Sequence, residues 1–494
     1  MNVDPRAPVL VGAGAISEKR ADPLEARDAV GLMVGASELA ASDCGRPDIL
    51  ERAGLVLVPQ GTWRFKDAGR RVAGHFSANG ARTVFARLGV LQTTLFERAA
   101  NAIALGDTDV AVVVGAEAKW RDALAMRTGV QLPNPEDAGA EPDETLVPER
   151  EIISADEIKA GLVAPVSQYA LLENARRYSD GQSPEDHART VADLWAGFSA
   201  VASNNPFAWD RRLRTEEEIR VPGKNNRPLA LPYNKLHVSQ WNVDQSAALI
   251  LCSTSTARSI GIAEDRWVFL QGIAESNYMV PVSERSILHR SPGFEIAGRE
   301  VFGRARVSPD DIAHVDLYSC FPIAVRTQAT ELGLTGERQL TVTGGMTFGG
   351  GPLNNYTLQS TARMAQVLRE DPGSLGLVTA VSGMLTKQGV ALWGSRPSPS
   401  GYGSADVSQL VEEGSSEVEI CGEVEGHATV ATYTVLYGEG GVEQPDRAVV
   451  LADLANGRRA IVTSADREVA KELTAGEWCG RKVRVRPDNT FDPE

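Results

Sequence analysis

Short apolar runs alternate with helix-like stretches along the first 120 residues. Residues 9–14, 55–58 and 109–115 are apolar runs of strand length. Between them, residues 22–42 are predicted to be helical, and residues 91–105 place their apolar side chains on one helical face. Alternating strand and helix units of this kind predict a parallel or mixed sheet covered by helices, which is an α/β fold.

The pattern changes between residues 120 and 235 and then returns. An acidic, proline-containing stretch leads there into two helical segments, so we expect an insertion that lies outside the sheet. A second series of strands and helices follows. Its predicted strands are residues 267–272, 314–317 and 375–381, and its predicted helices are residues 322–332 and 357–368.

The C-terminal part is rich in predicted strands. A Pro/Ser/Gly stretch at residues 397–404 predicts a linker. Five short strands and one helix after it are typical of a small β-barrel such as an OB-fold, so residues 405–494 are predicted to form an additional domain. The strands are predicted at residues 417–424, 428–437, 447–454, 459–463 and 481–486, and the helix at residues 465–473.

Composition narrows the classes of partner. The 494 residues carry 50 Lys and Arg against 65 Asp and Glu, a formal net charge of −15, which argues against a nucleic-acid surface. No apolar stretch reaches membrane-spanning length and no secretory signal is visible, so we expect a cytoplasmic protein. The five cysteines are scattered without ligand spacing, and neither a metal site nor a disulfide is expected.

Four segments, in order, resemble those of the thiolase family. They are residues 101–118 (NAIALGDTDVAVVVGAEA), 241–253 (WNVDQSAALILCS), 315–322 (VDLYSCFP) and 344–352 (GGMTFGGGP). The similarity spans roughly residues 8–398. Together with the C-terminal extension, it resembles the thiolase-like proteins of the type 1 group, which are often labelled acetyl-CoA acetyltransferases.

The resemblance implies a thiolase fold of two βαβαβαββ halves in five layers (αβαβα) with an inserted loop domain. The implied boundaries are 1–119 and 236–262 for the N-terminal half, 120–235 for the loop domain and 263–398 for the C-terminal half. The family also implies CoA or acyl-CoA as ligand and no separate cofactor. Thiolases form dimers or tetramers through the strand before their nucleophile, and the sequence leaves monomer and homodimer open.

The resemblance also implies catalytic positions, and this chain departs from the family there. Thiolases use a nucleophilic cysteine, an activating histidine and a second cysteine as acid and base. The corresponding positions are Gly89, Gly351 and Ser382, and the loop that carries Asn-Glu or His-Asp in thiolases carries Tyr318 and Ser319 followed by Cys320. We therefore expect no thiolysis or Claisen condensation by the family mechanism.

The same segments supply the candidate ligand-binding residues, each with a structural alternative. Cys320 is either an acid/base thiol or a small buried apolar residue, and Tyr318 either contacts a ligand or fills the emptied site. Glycines in the run either admit a ligand to the backbone or form a tight turn. Lys387 and Gln388 either line the pocket or belong to a solvated loop. The full set is Tyr318, Cys320, Gly350, Gly351, Lys387 and Gln388.

Three functional hypotheses follow from the sequence. The first is a thiolase-like protein of lipid or acyl metabolism that binds CoA thioesters without family-type turnover. The second is an acyltransferase with altered chemistry that uses Cys320. The third is a protein-interaction or scaffold module whose C-terminal domain docks a protein partner or covers the old pocket.

Overall fold

The computed structural model describes residues 3–133, 141–438 and 445–494. No helix in these ranges combines the length and apolar character that crossing a bilayer requires. The strands are β1 Pro8–Ser17, β2 Leu55–Pro59, β3 Arg82–Ala86, β4 Val110–Ala118, β5 Glu144–Leu146, β6 Pro228–Ala230, β7 Tyr233–Asn234, β8 Asp244–Ser253, β9 Val268–Ser276, β10 His314–Asp316, β11 Leu375–Ser382, β12 Lys387–Gly394, β13 Ser404–Asp406, β14 Gly426–Tyr437, β15 Pro445–Leu454, β16 Arg459–Ser464, β17 Lys482–Val485 and β18 Phe491–Pro493. The helices are α1 Ala29–Asp43, α2 Ala68–His75, α3 Gln92–Leu105, α4 Lys119–Thr128, α5 Ala155–Lys159, α6 Pro165–Ser179, α7 Pro184–Asn204, α8 Glu216–Arg220, α9 Thr254–Ser259, α10 Gly293–Ala305, α11 Pro322–Glu331, α12 Tyr356–Glu370, α13 Ser408–Glu413 and α14 Arg467–Thr474.

The predicted mixed sheet with helices on its faces is confirmed. In the described residues its strand order is β10-β11-β12-β9-β1-β8-β4-β2-β3-β5, with β13 added beside β9. The two halves join where Val9 and Leu10 of β1 pair with Phe269 and Val268 of β9. The sheet therefore runs through both halves of the core, because each contributes a strand to the junction.

Two buried helices lie at the centre of the core. Leu95 of α3 and Leu358 of α12 belong to one apolar cluster with Leu249 of β8. Phe96 of α3 also meets Trp393 of β12 edge to face, with ring centroids 6.0 Å apart. Helix α12 follows the thiolase-like segment 344–352, and α3 leads into the segment 101–118. Their N-terminal ends meet where Gln92 donates to Asn354.

The predicted insertion is not entirely outside the sheet, and this corrects the sequence analysis. Strand β5 lies within residues 120–235 and pairs in parallel with β3, matching Val84 with Glu144 and Ala86 with Leu146. Asp143, just before β5, accepts the backbone N–H of Thr83 at 2.8 Å. A three-residue strand carries too little pattern to be recognised from the sequence, yet it covers the edge of β3.

The C-terminal sheet differs from the prediction in two strands. Residues 417–424 contribute only isolated bridges, and the fifth strand is instead β18. The order is β16-β15-β14-β17-β18, and α14 lies between β16 and β17 in the chain. A parallel bridge between Thr463 and Thr490 joins the two ends of the sheet. These pairings are compatible with an OB-like barrel, which stays a prediction.

The C-terminal sheet is fastened to the predicted insertion. Ala230 of β6 pairs with Leu436 of β14, and the N–H of Leu231 donates to the carbonyl of Val435 at 2.9 Å. Arg177 of α6 is buried and forms an ion pair with Glu477. Backbone pairing and a buried cation both tie this domain to α6, so its docking is specific.

Candidate functional site

Three of the candidate residues meet at the turn between β3 and α3. The Nζ of Lys387 donates to the carbonyl oxygen of Gly89 at 2.6 Å, and the Oγ of Ser382 donates to the same oxygen at 3.3 Å. Gly89 has φ of +100°, a conformation that L residues with side chains rarely adopt. The structure thus brings together Gly89 and Ser382, the positions that the family resemblance assigns to the nucleophile and the second cysteine.

Lys387 and Gln388 do not lie in a solvated loop. They are the first residues of β12, and both side chains are buried. Successive side chains of a strand point to opposite faces, so Lys387 reaches Gly89 while Gln388 points away from it. The Nε2 of Gln388 donates to the Oγ of Ser291 and to the carbonyl of Leu385, each at 2.9 Å. Gln388 is therefore not part of the site at Gly89.

The sequence analysis missed an acid at this site. Glu275 of β9 is 3% exposed, and the hydroxyl of Thr94 in α3 donates to its carboxyl group at 2.8 Å. Burial raises the pKa of Glu275 to about 8. Burial also lowers the pKa of Lys387, an effect opposed by the carboxylates of Glu275 and Glu149. An acid inside an otherwise apolar strand was the signal that could have revealed Glu275.

Asn354 contacts the start of α3, and the amide nitrogen of its side chain has no hydrogen-bond acceptor in the described part of the chain. The Nε2 of Gln92 donates to the Oδ1 of Asn354 at 2.8 Å. The Nδ2 of Asn354 is buried and has no hydrogen-bond acceptor among the described residues. A buried donor without an acceptor costs free energy unless a ligand or a water satisfies it. Asn354 is thus a further residue of the site that the sequence analysis did not identify.

Tyr318 and Ser319 are packed into the protein interior. The ring of Tyr318 meets that of Tyr356 edge to face, with centroids 5.5 Å apart, and burial raises its pKa. Ser319 is fully buried, and its Oγ accepts the N–H of Met346 at 3.0 Å. The hydroxyl of Tyr356 donates to Asp316 at 2.9 Å. This packing favours the interpretation that Tyr318 fills space.

Cys320 is enclosed by aromatic residues. It is buried, and burial raises the pKa of its thiol to about 12. The next residue, Phe321, stacks on Tyr169 of α6 with ring centroids 4.3 Å apart. Because the thiolate is the nucleophilic form, a thiol with this pKa is protonated and unreactive near neutral pH.

The glycine run is packed against the start of β8 and the segment before it. A Cβ on Gly351 would lie 2.0 Å from the Oγ of Ser239, and one on Gly350 would lie 2.1 Å from the Oε1 of Gln245. The N–H of Gly351 donates to the carbonyl of Gln240 at 2.9 Å. Contacts within the protein therefore account for both glycines, and the amide of Gly351 already has an acceptor.

A separate buried cluster lies where the predicted insertion meets α11. The carboxylate of Glu173 in α6 pairs with His187 at 2.9 Å and Arg326 at 2.6 Å, and it accepts the hydroxyl of Tyr233 at 2.6 Å. These partners lower the pKa of Glu173 to about 2 against the opposing effect of burial. All four groups satisfy one another, so the cluster holds α6, α7 and α11 together.

The fold and the arrangement at α3 define the class of the protein. It belongs to the thiolase superfamily, since a chain of 30% identity shares the fold over its whole length. That chain is a monomeric SCP2-thiolase-like protein type 1 from Mycobacterium smegmatis, with a TM-score of 0.81 and all of both chains covered. Within the superfamily, the protein is a thiolase-like protein type 1 with an extra C-terminal domain. Residues 406–490 match the family model described as "Thiolase-like protein type 1 additional C-terminal domain".

Other relatives share less of the chain. An acetyl-CoA acetyltransferase of Methanothermobacter thermautotrophicus is 26% identical over 300 residues, which cover 57% of this chain and 70% of the relative. Human mitochondrial 3-ketoacyl-CoA thiolase is 15% identical, with a TM-score of 0.56 over 79% of this chain and 99% of that one. At that identity, the similarity to the human enzyme shows a shared fold alone.

Proposed function

We propose that the protein binds CoA or acyl-CoA, does not catalyse thiolysis or Claisen condensation by the thiolase route, and acts in acyl or lipid metabolism. A relative is named as an acetyl-CoA acetyltransferase, which supports the ligand class. One observation carries the proposal: the first turn of α3 gathers the buried amine of Lys387 and the unpaired amide of Asn354. Gly89, Gly351 and Ser382 offer neither thiol nor imidazole.

These groups are suited to holding a thioester and not to cleaving it. An amide N–H and a buried amine can donate to a carbonyl oxygen as the polar contacts of a ligand pocket. Cleavage by the family route requires a nucleophile that takes the acyl group and a base that activates it. Ser382 directs its hydroxyl to the carbonyl of Gly89, and no base is bonded to it among the described contacts.

The alternative of an acyltransferase that uses Cys320 has less support. Its thiol is buried, and the pKa of about 12 leaves a negligible thiolate fraction at neutral pH. The alternative of a protein-interaction module also has less support. Strand β6 and Arg177 already cover one side of the C-terminal domain, so less of its surface is available to a partner. The uncovered side of that domain remains a proposed docking surface for a protein partner.

We propose further that the chain is a monomer. Thiolases pair through the strand that corresponds to β3, and here β5 occupies the edge of β3. The Mycobacterium smegmatis protein is described as monomeric, which supports the same state for this chain.

Calorimetry with the full chain tests the proposed ligand. We expect heat of binding with CoA and acetyl-CoA and no consumption of acetoacetyl-CoA when CoA is added as the second substrate. Asn354→Asp replaces the donor by an acceptor, and we expect it to weaken acetyl-CoA binding about tenfold. Asn456→Asp is the matched control, since its Oδ1 accepts the N–H of Arg458 in a solvent-exposed turn.

Two outcomes would reject the proposal. The first is the absence of binding at millimolar CoA and acetyl-CoA. The second is thiolysis at the rate of working thiolases, with an acyl group trapped on a cysteine and identified by mass spectrometry.

A further inference from the structure

A large cavity lies away from the site at α3. Its volume is about 850 Å³, within the range of small-molecule sites. It is bounded by α7, by the segment 338–342 and by Arg363 and Val367 in α12. Of β10, only His314 and Val315 at its start line the cavity, whereas Tyr318 and Cys320 follow the end of that strand and are not in the lining. The cavity is therefore distinct from the positions that correspond to thiolase catalysis.

Two arginine side chains that line this cavity have no carboxylate partner in the described part of the chain. Within the described ranges, neither Arg338 nor Arg363 has an acidic side chain within ion-pairing distance. The terminal nitrogens of Arg338 donate to the carbonyls of Pro309 and Ile312, each at 3.2 Å. Arg363 donates to the Oε1 of Gln366 at 2.9 Å. Both cations are thus held by neutral acceptors, in a chain whose acids outnumber its bases by 15.

A smaller pocket continues inward from the same arginine. Arg363 and Asn205 line both the large cavity and a pocket of about 10 Å³, the space of one water-sized group. The pocket also has Gln359 in its lining. The Nε of Arg363 and the Nε2 of Gln359 are buried without an acceptor in the described part of the chain, and Gln359 is 8% exposed. Two unpaired N–H donors in one small pocket fit the oxygen of an anion.

The rest of the large cavity offers apolar surface. Its apolar lining consists of Leu194, Phe198 and Val201 of α7 together with Leu340 and Val342. The acid in the lining, Asp193, is exposed on α7 and has no ion pair among the described residues. A ligand that suits this lining has an apolar body and one negatively charged head.

We propose that this cavity is a second ligand site, which binds an amphiphilic anion with its carboxylate or phosphate on Arg363 and Arg338 and its apolar part between α7 and residues 340–342. One oxygen of the head enters the small pocket and accepts hydrogen bonds from Gln359 and Arg363. Neither the cavity nor the small pocket is lined by the residues that meet at Gly89, although the small pocket reaches Gly350 of the glycine run.

The geometry of α7 permits a variant that blocks the cavity without a clash. Gly197 lies in the lining, and a Cβ built on it meets nothing within 4 Å. Gly197→Phe therefore fills the opening. Phe has a higher helix propensity than Gly, so the helix tolerates this replacement. Gly303→Phe is the matched control, because Gly303 lies in α10 with equally open surroundings.

Calorimetry with octanoate, octyl phosphate and neutral octanamide tests the site. We expect the anions to bind and octanamide to bind at least tenfold more weakly, since hydrogen bonds to a charged head are the stronger kind. Arg363→Gln should weaken the binding of the anions about tenfold or more, while Arg299→Gln at an exposed position of α10 should not. Gly197→Phe should abolish binding and Gly303→Phe should leave it intact. The relative affinities of octanoate and octyl phosphate decide which head the site prefers.

The proposal is overturned if octanamide binds as tightly as the anions, or if Gly197→Phe binds octanoate and octyl phosphate like the natural chain. It is equally overturned if neither anion binds at millimolar concentration. Thermal denaturation of each variant accompanies the titrations, and Arg338→Gln serves as the second charge variant if Arg363→Gln does not fold.

Discussion

The Nζ of Lys387 lies 2.6 Å from the carbonyl oxygen of Gly89. This contact joins the start of β12 to the turn before α3, to which the family resemblance assigns the nucleophile. The turn has positive φ, and a buried amine holds its carbonyl. The turn is therefore shaped for glycine, and a cysteine side chain at this position would not be accommodated without a change in the backbone.

Gly89→Cys should lower stability without producing thiolase activity. A Cβ at this position would lie 3.0 Å from Cγ of Pro148, and φ of +100° is unfavourable for any L side chain. We expect a loss of about 1–3 kcal/mol in the free energy of unfolding, measured with urea. Gly89→Ala should show the same loss, and thiolysis of acetoacetyl-CoA by Gly89→Cys would contradict this account.

Gly351→Ala should destabilise the protein, and a second change should relieve it. The new methyl group would overlap the Oγ of Ser239 at 2.0 Å, and such overpacking typically costs about 1–3 kcal/mol. Ser239→Gly removes that oxygen, so the double variant should recover part of the lost stability. A double-mutant cycle from urea unfolding measures the coupling. Purely additive effects would show that the Ser239 contact is not the cause.

The order of elements in the thiolase core could be predicted from the sequence because the apolar runs are long and the motifs come in family order. Residues 375–381 were predicted as a strand and form part of β11. Strand β12 was missed because it begins with Lys387 and Gln388, whose polar side chains resemble a loop. Strand β5 was missed because three residues hold no periodicity.

The candidate site could be predicted only as far as the family motifs reach. Gly89, Ser382 and Lys387 do meet, because they flank elements whose positions the fold dictates. Glu275 and Asn354 enter the site through pairings between distant segments, with Thr94 and Gln92. Such pairings leave no local pattern, so these two residues required the structure.

Glu275→Gln should change the pH dependence of stability. Burial raises the pKa of this carboxyl from 4.5 to about 8, with Glu97 raising it further and Lys387 and Thr94 lowering it. The folded state binds the proton of Glu275 more tightly than the unfolded state does. Protonation of Glu275 therefore stabilises the fold fully below pH 4.5, and this stabilisation is lost as the pH rises through 8. Relative to Glu275→Gln, the natural chain should lose ~1.4 kcal/mol per pH unit within this window.

Urea unfolding of both proteins between pH 5 and pH 8.5 measures this difference. Glu216→Gln is the control, because Glu216 is exposed at the start of α8 and its replacement should leave the pH dependence unchanged. A constant difference between the natural chain and Glu275→Gln across this range would refute the prediction.

Asp143→Ala should expose the edge of β3 and promote association. The carboxylate accepts the N–H of Thr83 at 2.8 Å and pairs with Arg70 at 2.6 Å, which holds the pKa of Asp143 below its usual range. Without these contacts β5 is held by its short backbone pairing with β3, which is then easier to open, and an unpaired edge strand associates with other chains. Light scattering at increasing concentration should show a monomeric natural chain and a self-associating variant.

Glu141→Ala is the control for that experiment, since its ion pair with Lys66 is exposed and lies outside the sheet. We expect this control to remain monomeric. A natural chain that is already dimeric, or an Asp143→Ala variant that stays monomeric at the highest concentration, would show that β5 does not protect the edge.

Glu477→Ala should loosen the C-terminal domain from α6. The guanidinium of Arg177 is 2% exposed and is left without its acidic partner in this variant. Removing one partner of a buried pair costs about 3–5 kcal/mol, and the partial exposure of Glu477 reduces this to about 1–3 kcal/mol. Cys479, buried beside the pair, should then react faster with a thiol reagent. Asp492→Ala is the control, because it breaks an exposed ion pair with Arg486 and should change neither stability nor labelling. Equal behaviour of the two variants would show that the Arg177–Glu477 pair does not hold the domain in place.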